Sequence, residues 1–362
     1  FEKNNGRGIV NEVTSKKRST LQGTIESYRE VAQDDNTTKS EIGGSVYLVN
    51  PNGITMRKGF TFKGDVFGAT TMSLSDTTAH LTHTGNTRRP EFYGVLINLS
   101  PVDADGDAKE QVFTISKGSL RLNKKGAISG GANFDLGEMD GFEATTPEGQ
   151  NLRIGSVKLA KDAWITLDSG KNLTVRDITG TSYDDEEGQT KQVRVLTDNE
   201  GPWAVEGDHD GDPNMVKFDD GKYYVLAGEN VGNSMVVTVP VYGDDGEQVM
   251  IPVKIANNVN LFANNRLRIR SVKDVDLFVE GENIRLSKSS SINELGVFTG
   301  GDSPNLSKFS IAKGTTVGSL SVTKGTDTKN YNGFTASKKI TQKNYAEYLK
   351  ERTATTQNQD QT

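Results

Sequence analysis

Cysteine is absent from the 362-residue chain. That absence removes disulfides, thiolate metal sites and cysteine nucleophiles together. It is compatible with export in an unfolded state, where stray thiols would crosslink in an oxidising space. Aromatic residues make up only 7% of the chain, and the hydrophobic share of 33% is low for a compact α/β enzyme. Long apolar runs are missing too. None approaches the roughly 20 residues that span a bilayer as a helix, so no transmembrane segment is expected. A basic excess is also lacking: 42 Lys and Arg against 48 Asp and Glu give a net charge of −6. This argues against a general binder of phosphate backbones, and nucleic acid is not an expected partner. No signal peptide opens the sequence; Phe1 begins directly in polar residues, which reads as a processed or truncated piece.

What is present is a succession of short β-type runs. Examples are Val46–Val49, Ile54–Phe62, Tyr93–Leu99, Leu152–Leu159, Trp164–Leu167, Leu173–Ile178, Leu267–Val272 and Leu320–Val322. Each is bounded by Gly, Asn, Asp, Ser or Lys-Gly turns. In residues 155–178 the apolar positions Val157, Leu159, Ile165, Leu167, Leu173 and Val175 recur at period two, with Lys, Thr and Arg between them. That alternation sends one set inward and the other to solvent. Strand-turn units repeating every roughly 20–25 residues, without the helices of a βαβ fold, suggest a chain coiled around a thin, long core. The expected fold is therefore all-β: a right-handed parallel β-helix with extra-helical β elements. Strand periodicity alone leaves a pair of β-sandwiches open.

The pattern divides the chain into β-helix over 1–180, an acidic insertion with its own β elements over 181–255, and further coils over 256–330. The end, 331–362, reads as a helix and a disordered tail. Tyr28–Glu41 reads as a polar loop. Thr341–Arg352 reads as the one helix, with Thr341 as its N-cap.

The most informative segment is Asn50-Pro51-Asn52-Gly53-Ile54, directly after the apolar run Val46–Val49. Pro51 fixes φ and ends ladder pairing. Asn52 and Gly53 accept left-handed conformations, and Asn side chains bond back to turn amides. Ile54 then restarts an inward-facing strand, so the turn sets register. Upstream stand Val10-Asn11-Glu12-Val13-Thr14-Ser15 and Leu21-Gln-Gly-Thr-Ile-Glu-Ser27; downstream stands Gly68-Ala-Thr-Thr-Met-Ser-Leu-Ser-Asp76. These four phrases, in this order, resemble the N-terminal two-partner-secretion domain of filamentous haemagglutinins, high-molecular-weight adhesins and haemopexin-binding exoproteins. The close resemblance covers about the first fifth of the chain. Glu12 departs from it, where the family has Arg, as does Tyr28–Gly43, which lengthens a short turn. The family's earlier capping strands have no counterpart before Phe1.

The resemblance implies a secreted, non-enzymatic adhesin or haemagglutinin-like virulence exoprotein that reaches the surface of a Gram-negative bacterium through the periplasm. Its secretion motif would comprise Asn50, Pro51, Asn52, Gly53 and Ile54 together with Asn11, Val13 and Thr14. Its implied partners are an outer-membrane β-barrel transporter, whose periplasmic (POTRA) domains bind this region, and a host or bacterial surface receptor.

Other chemistry has weaker anchors. Asp103-Ala-Asp-Gly-Asp107 and Asp208-His-Asp210-Gly-Asp212 place three carboxylates at alternate positions, as calcium loops do. Neither has glycine at the sixth position, where Ala108 and Pro213 stand, so no cofactor is expected and calcium at Asp208, Asp210 and Asp212 is the weak candidate. His80 and His83 lack a nearby carboxylate motif. No Gly-x-Ser-x-Gly elbow is present. Asp135, Glu138, Asp140 and Glu143 could pair as glycosidase-type acids, which keeps open an alternative: a carbohydrate-active or receptor-binding β-helix of the tailspike or polysaccharide-lyase kind. Phe60, Phe62, Phe67, Phe92 and Tyr93 could stack on a ligand or simply fill the core.

Overall fold

A computed structural model describes residues 8–32, 38–72, 93–99, 113–135, 139–159, 163–180, 191–198, 258–299, 308–324 and 327–349, with short pieces at 201–202, 204–205, 207–209, 215–217, 222–225 and 234–239. Their regular structure is almost entirely β, as expected. Twenty-four strands belong to one long, mostly parallel sheet.

The sheet resolves into three ladders that the chain visits in turn. On the first, Gly8–Glu12 pairs in parallel with Ser45–Val49, and that strand with Val66–Thr70. On the second, Ser19–Leu21 lies on Ile54–Arg57. On the third, Thr24–Glu26 lies on Thr61–Lys63. Further along, Leu152–Lys158, Asn172–Thr179 and Arg266–Glu280 each run from the second ladder into the third and stack in parallel. Trp164–Ser169 and Asn258–Ala263 continue the first.

Alternation and register together build the core. Leu152, Ile154 and Val157 lie beside Leu173, Val175 and Ile178, and these beside Leu267, Ile269 and Val272; all nine are buried. Each such side chain contributes about 1.5–3 kcal/mol when fully removed from water. Toward the N-terminal side the core is aromatic. Phe60, Phe62, Phe67, Phe113, Phe134 and Phe142 are buried, with ring centroids of successive pairs 5.1–6.3 Å apart. Phe60, Phe62 and Phe67 are thus core residues. Phe92 lies outside the described residues.

The parallel stacking is interrupted once in the middle. Gly94–Leu99, Phe113–Lys117 and Ser119–Leu122 pair antiparallel with the strands below them, visiting the ladders in reverse order. A tight turn at 123–127, closed by Asn123 N–H donating to Ala127 O (2.9 Å), turns the chain back. Ile128–Ser129, Asn133–Asp135 and Met139–Thr146 then pair antiparallel with that reversed circuit and restore the original direction.

Two local expectations are corrected. Tyr28–Glu41 is no plain loop: Tyr28–Ala32 and Thr38–Ile42 form an antiparallel hairpin. Its polar composition hid the backbone pairing, which needs no apolar side chains. The expected helix at Thr341–Arg352 is absent from its described part. Thr341 ends the short strand Ile340–Thr341, and only a 3-10 turn, Tyr345–Glu347, follows. Half-buried Tyr345, Tyr348 and Leu349 instead lie against the last apolar layer with Phe309, Leu320 and Ile340. That burial outweighs helix propensity here. Together with Asp327–Thr335, antiparallel to Thr316–Lys324, they cover this end of the core. Residues 353–362, the expected disordered tail, lie outside the described set, as do 350–352 of the expected helix.

Within 181–257, Lys191–Asp198 pairs with Ser234–Val239 and with Gly201–Pro202. Tyr223–Val225 pairs with Ala204–Val205 and Met215–Lys217. No described helix is long and apolar enough to cross a membrane.

Candidate functional site

The Asn50–Ile54 turn joins the first ladder to the second. Gly53 N–H donates to Asn50 O at 2.9 Å, closing the turn, while Asn50 N–H still reaches Thr70 O of the next circuit at 3.0 Å. The Asn50 side chain is fully buried. Its Nδ2 donates to Lys17 O (3.0 Å) and Ser19 Oγ (2.8 Å), and its Oδ1 accepts from Asn52 N–H (2.9 Å). Asn52 Nδ2 donates to Ser15 O at 3.0 Å. Both asparagines therefore serve backbone groups that no strand can reach, as a buried polar group must.

Gly53 has φ +106°, and a Cβ there would lie 3.0 Å from both the Arg18 guanidinium and Leu122 O. Arg18 bridges circuits: its Nη1 donates to Thr55 Oγ1 (3.3 Å) and its Nη2 to Asn123 Oδ1 (3.4 Å). Ile54 is fully buried and opens the next strand.

The remaining motif residues fall on the neighbouring circuit. Asn11 stands beside Leu48 and Glu12 beside Val49 in parallel register, both exposed. Val13 is half-buried, and its N–H donates to Val49 O at 2.8 Å. Thr14 is exposed. The phrase at 21–27 forms the strands beneath Ile54–Arg57 and Thr61–Lys63. Three of the four phrases thus come together in adjacent circuits. The fourth begins in Val66–Thr70, and its last residues, 73–76, lie outside the described set. Sequence reading placed Ser15 in its first phrase without a role, and missed Lys17, Arg18 and Ser19. Lys17 and Ser15 act through backbone carbonyls, which carry no residue signature.

In the folded chain the Asn50–Ile54 part of the motif offers little to a partner. Asn50, Gly53 and Ile54 are buried, Asn52 is half-buried, and Pro51 alone is exposed.

Among the described residues the other candidates do not assemble into a site. Asp208 Oδ1 accepts from Tyr223 Oη at 2.8 Å, while Asp210 and Asp212 lie outside the described residues, as do Asp103–Asp107, His80 and His83. Among the described residues no three acids, histidines or cysteines converge on a metal position. Glu143 is half-buried on the outer side of the first ladder, and burial pushes its carboxyl above the ordinary range. Its in-register neighbours are Leu96 and Thr166, so it has no carboxylate partner across the ladder. Glu138 and the side chains of Asp135 and Asp140 lie outside the described residues. In comparisons with known proteins, no family, curated protein or solved structure matched this chain.

Proposed function

We propose that this chain is the secretion domain of an exported adhesin-like exoprotein, that it folds as a right-handed parallel β-helix, and that an outer-membrane transporter recognises it. The observation that carries the reading is the Asn50 tie: the side chain that resembles the family's motif binds Lys17 O and Ser19 Oγ of the preceding circuit. Asn52 Nδ2 in turn reaches Ser15 O, the end of the upstream phrase, at 3.0 Å, so the motif and that phrase act as one unit. Parallel circuits suit directional export, because each new strand finds its partner in the one just formed. The absence of cysteine fits passage as an unfolded chain. Burial of Asn50 and Ile54 implies that a partner reading these side chains meets them before the circuits close.

The test is export. The chain, placed behind a cleavable signal peptide, is expressed in a Gram-negative host with and without its cognate transporter. Transporter-dependent appearance outside the cell supports the proposal. Equal retention in the periplasm under both conditions overturns it.

A further inference from the structure

We propose that the corner between the second and third ladders is a binding site for an extended acidic polysaccharide. Five exposed arginines, Arg153, Arg176, Arg268, Arg270 and Arg285, line a groove of about 430 Å³ there. The ladder register sets their spacing. Arg153, Thr174, Arg268 and Arg285 occupy one outward column on successive strands, and Arg176 and Arg270 lie on adjacent strands at the bend. Neighbouring strands are about 4.8 Å apart, so the guanidinium groups form a row parallel to the stacking direction.

The arrangement is costly for the protein alone. Like charges directly opposite on neighbouring strands destabilise a sheet, and Arg268 and Arg285 are such a pair. Among the described residues the one acid against the row is Asp177, which takes Arg176 (3.6 Å) and Arg270 (3.5 Å) while accepting from Ser271 Oγ (2.6 Å). Among the described residues, Arg153, Arg268 and Arg285 have no carboxylate partner. This concentration of unneutralised charge lies on a chain whose net charge is −6.

Geometry and composition narrow the ligand. Guanidinium groups bind carboxylate and sulfate bidentately. A row along the axis fits a linear chain with repeating charges better than a single small anion. Among the described residues no aromatic side chain lines the groove, so these supply none of the stacking platforms that hold single-stranded nucleic acid. At one end Gly131 raises no side chain into the groove, where a Cβ would stand 3.8 Å from Arg153 Nε. Gly155 N–H donates to Ala132 O at 2.9 Å, drawing that segment close enough that a Cβ at 155 would strike its carbonyls.

The site does not depend on the export reading. It is tested by isothermal titration of the folded chain with dextran sulfate, oligogalacturonate, neutral dextran and a 20-nucleotide oligo-dT. The expected result is binding of both acidic glycans, weakening as salt rises, with none to neutral dextran and weaker binding of oligo-dT. Arg268→Ala/Arg285→Ala, both exposed, should keep the native circular dichroism and lose at least tenfold in affinity. Lys343→Ala, an exposed charge at the far end of the chain, should bind as the unaltered protein does. Failure to bind either acidic glycan overturns the proposal. So does unchanged affinity in the folded double variant, or tighter binding of oligo-dT than of the glycans.

Discussion

Asn50 holds Lys17: a fully buried side-chain amide donates to a backbone carbonyl 33 residues earlier, at 3.0 Å, and to Ser19 Oγ at 2.8 Å. Asn50→Ala would strand that carbonyl and free the Asn52 N–H. Each buried polar group left without a partner costs about 1–3 kcal/mol. Urea denaturation should therefore show Asn50→Ala destabilised by at least about 2 kcal/mol. Pro51→Ala, at the exposed tip, should stay within about 1 kcal/mol of the unaltered chain.

Gly53 carries the turn's positive φ and has Arg18 and Leu122 O where a Cβ would stand. Gly53→Ala should cost about 1–3 kcal/mol through backbone strain, read as a lower thermal midpoint. Adding Arg18→Ala removes one of the two obstructions. The double variant should then recover part of the loss.

Phe113 lies on the reversed circuit and touches aromatic rings on both sides of it, Phe60 at 6.3 Å and Phe134 at 5.6 Å between centroids. Phe113→Ala should cost about 3–5 kcal/mol in denaturant unfolding, among the largest single losses in the chain.

Burial raises the Glu143 carboxyl above its ordinary value of 4.5, so the folded chain holds this proton more tightly than the unfolded one. Its favourable contribution is present below the ordinary value and lost as pH rises through the folded value. Glu143→Gln, which cannot ionise, should raise the thermal midpoint at neutral pH and leave it nearly unchanged at about pH 4. A variant without gain at neutral pH would show that the carboxylate is well solvated.

The inward positions were readable where alternation is clean: Val157, Leu159, Ile165, Leu167, Leu173 and Val175 are all buried. The reversed circuit was not, because a strand keeps the same alternation whether its neighbour runs parallel or antiparallel. Nor was the Tyr28–Ile42 hairpin, whose pairing is carried by backbone. At the turn, the identity of Asn50 was legible but its partners were not, since Lys17 contributes a carbonyl. The arginine row left a faint signal: Asn-Leu-Arg-Ile ending at Ile154, Arg-Leu-Arg-Ile ending at Ile269 and Asn-Ile-Arg-Leu ending at Leu286. The coincidence becomes a groove only once register stacks the three, and 77 residues separate Gly180 from Asn258.

The most direct test of the secretion-domain account is binding of this chain to the periplasmic domains of its cognate transporter, measured with the chain held unfolded in mild urea and again after folding. An Asn50→Ala/Asn52→Ala variant is titrated in parallel. The account predicts saturable binding of the unfolded chain, weakened by the variant. No binding in either state, or binding that the variant leaves unchanged, would contradict it.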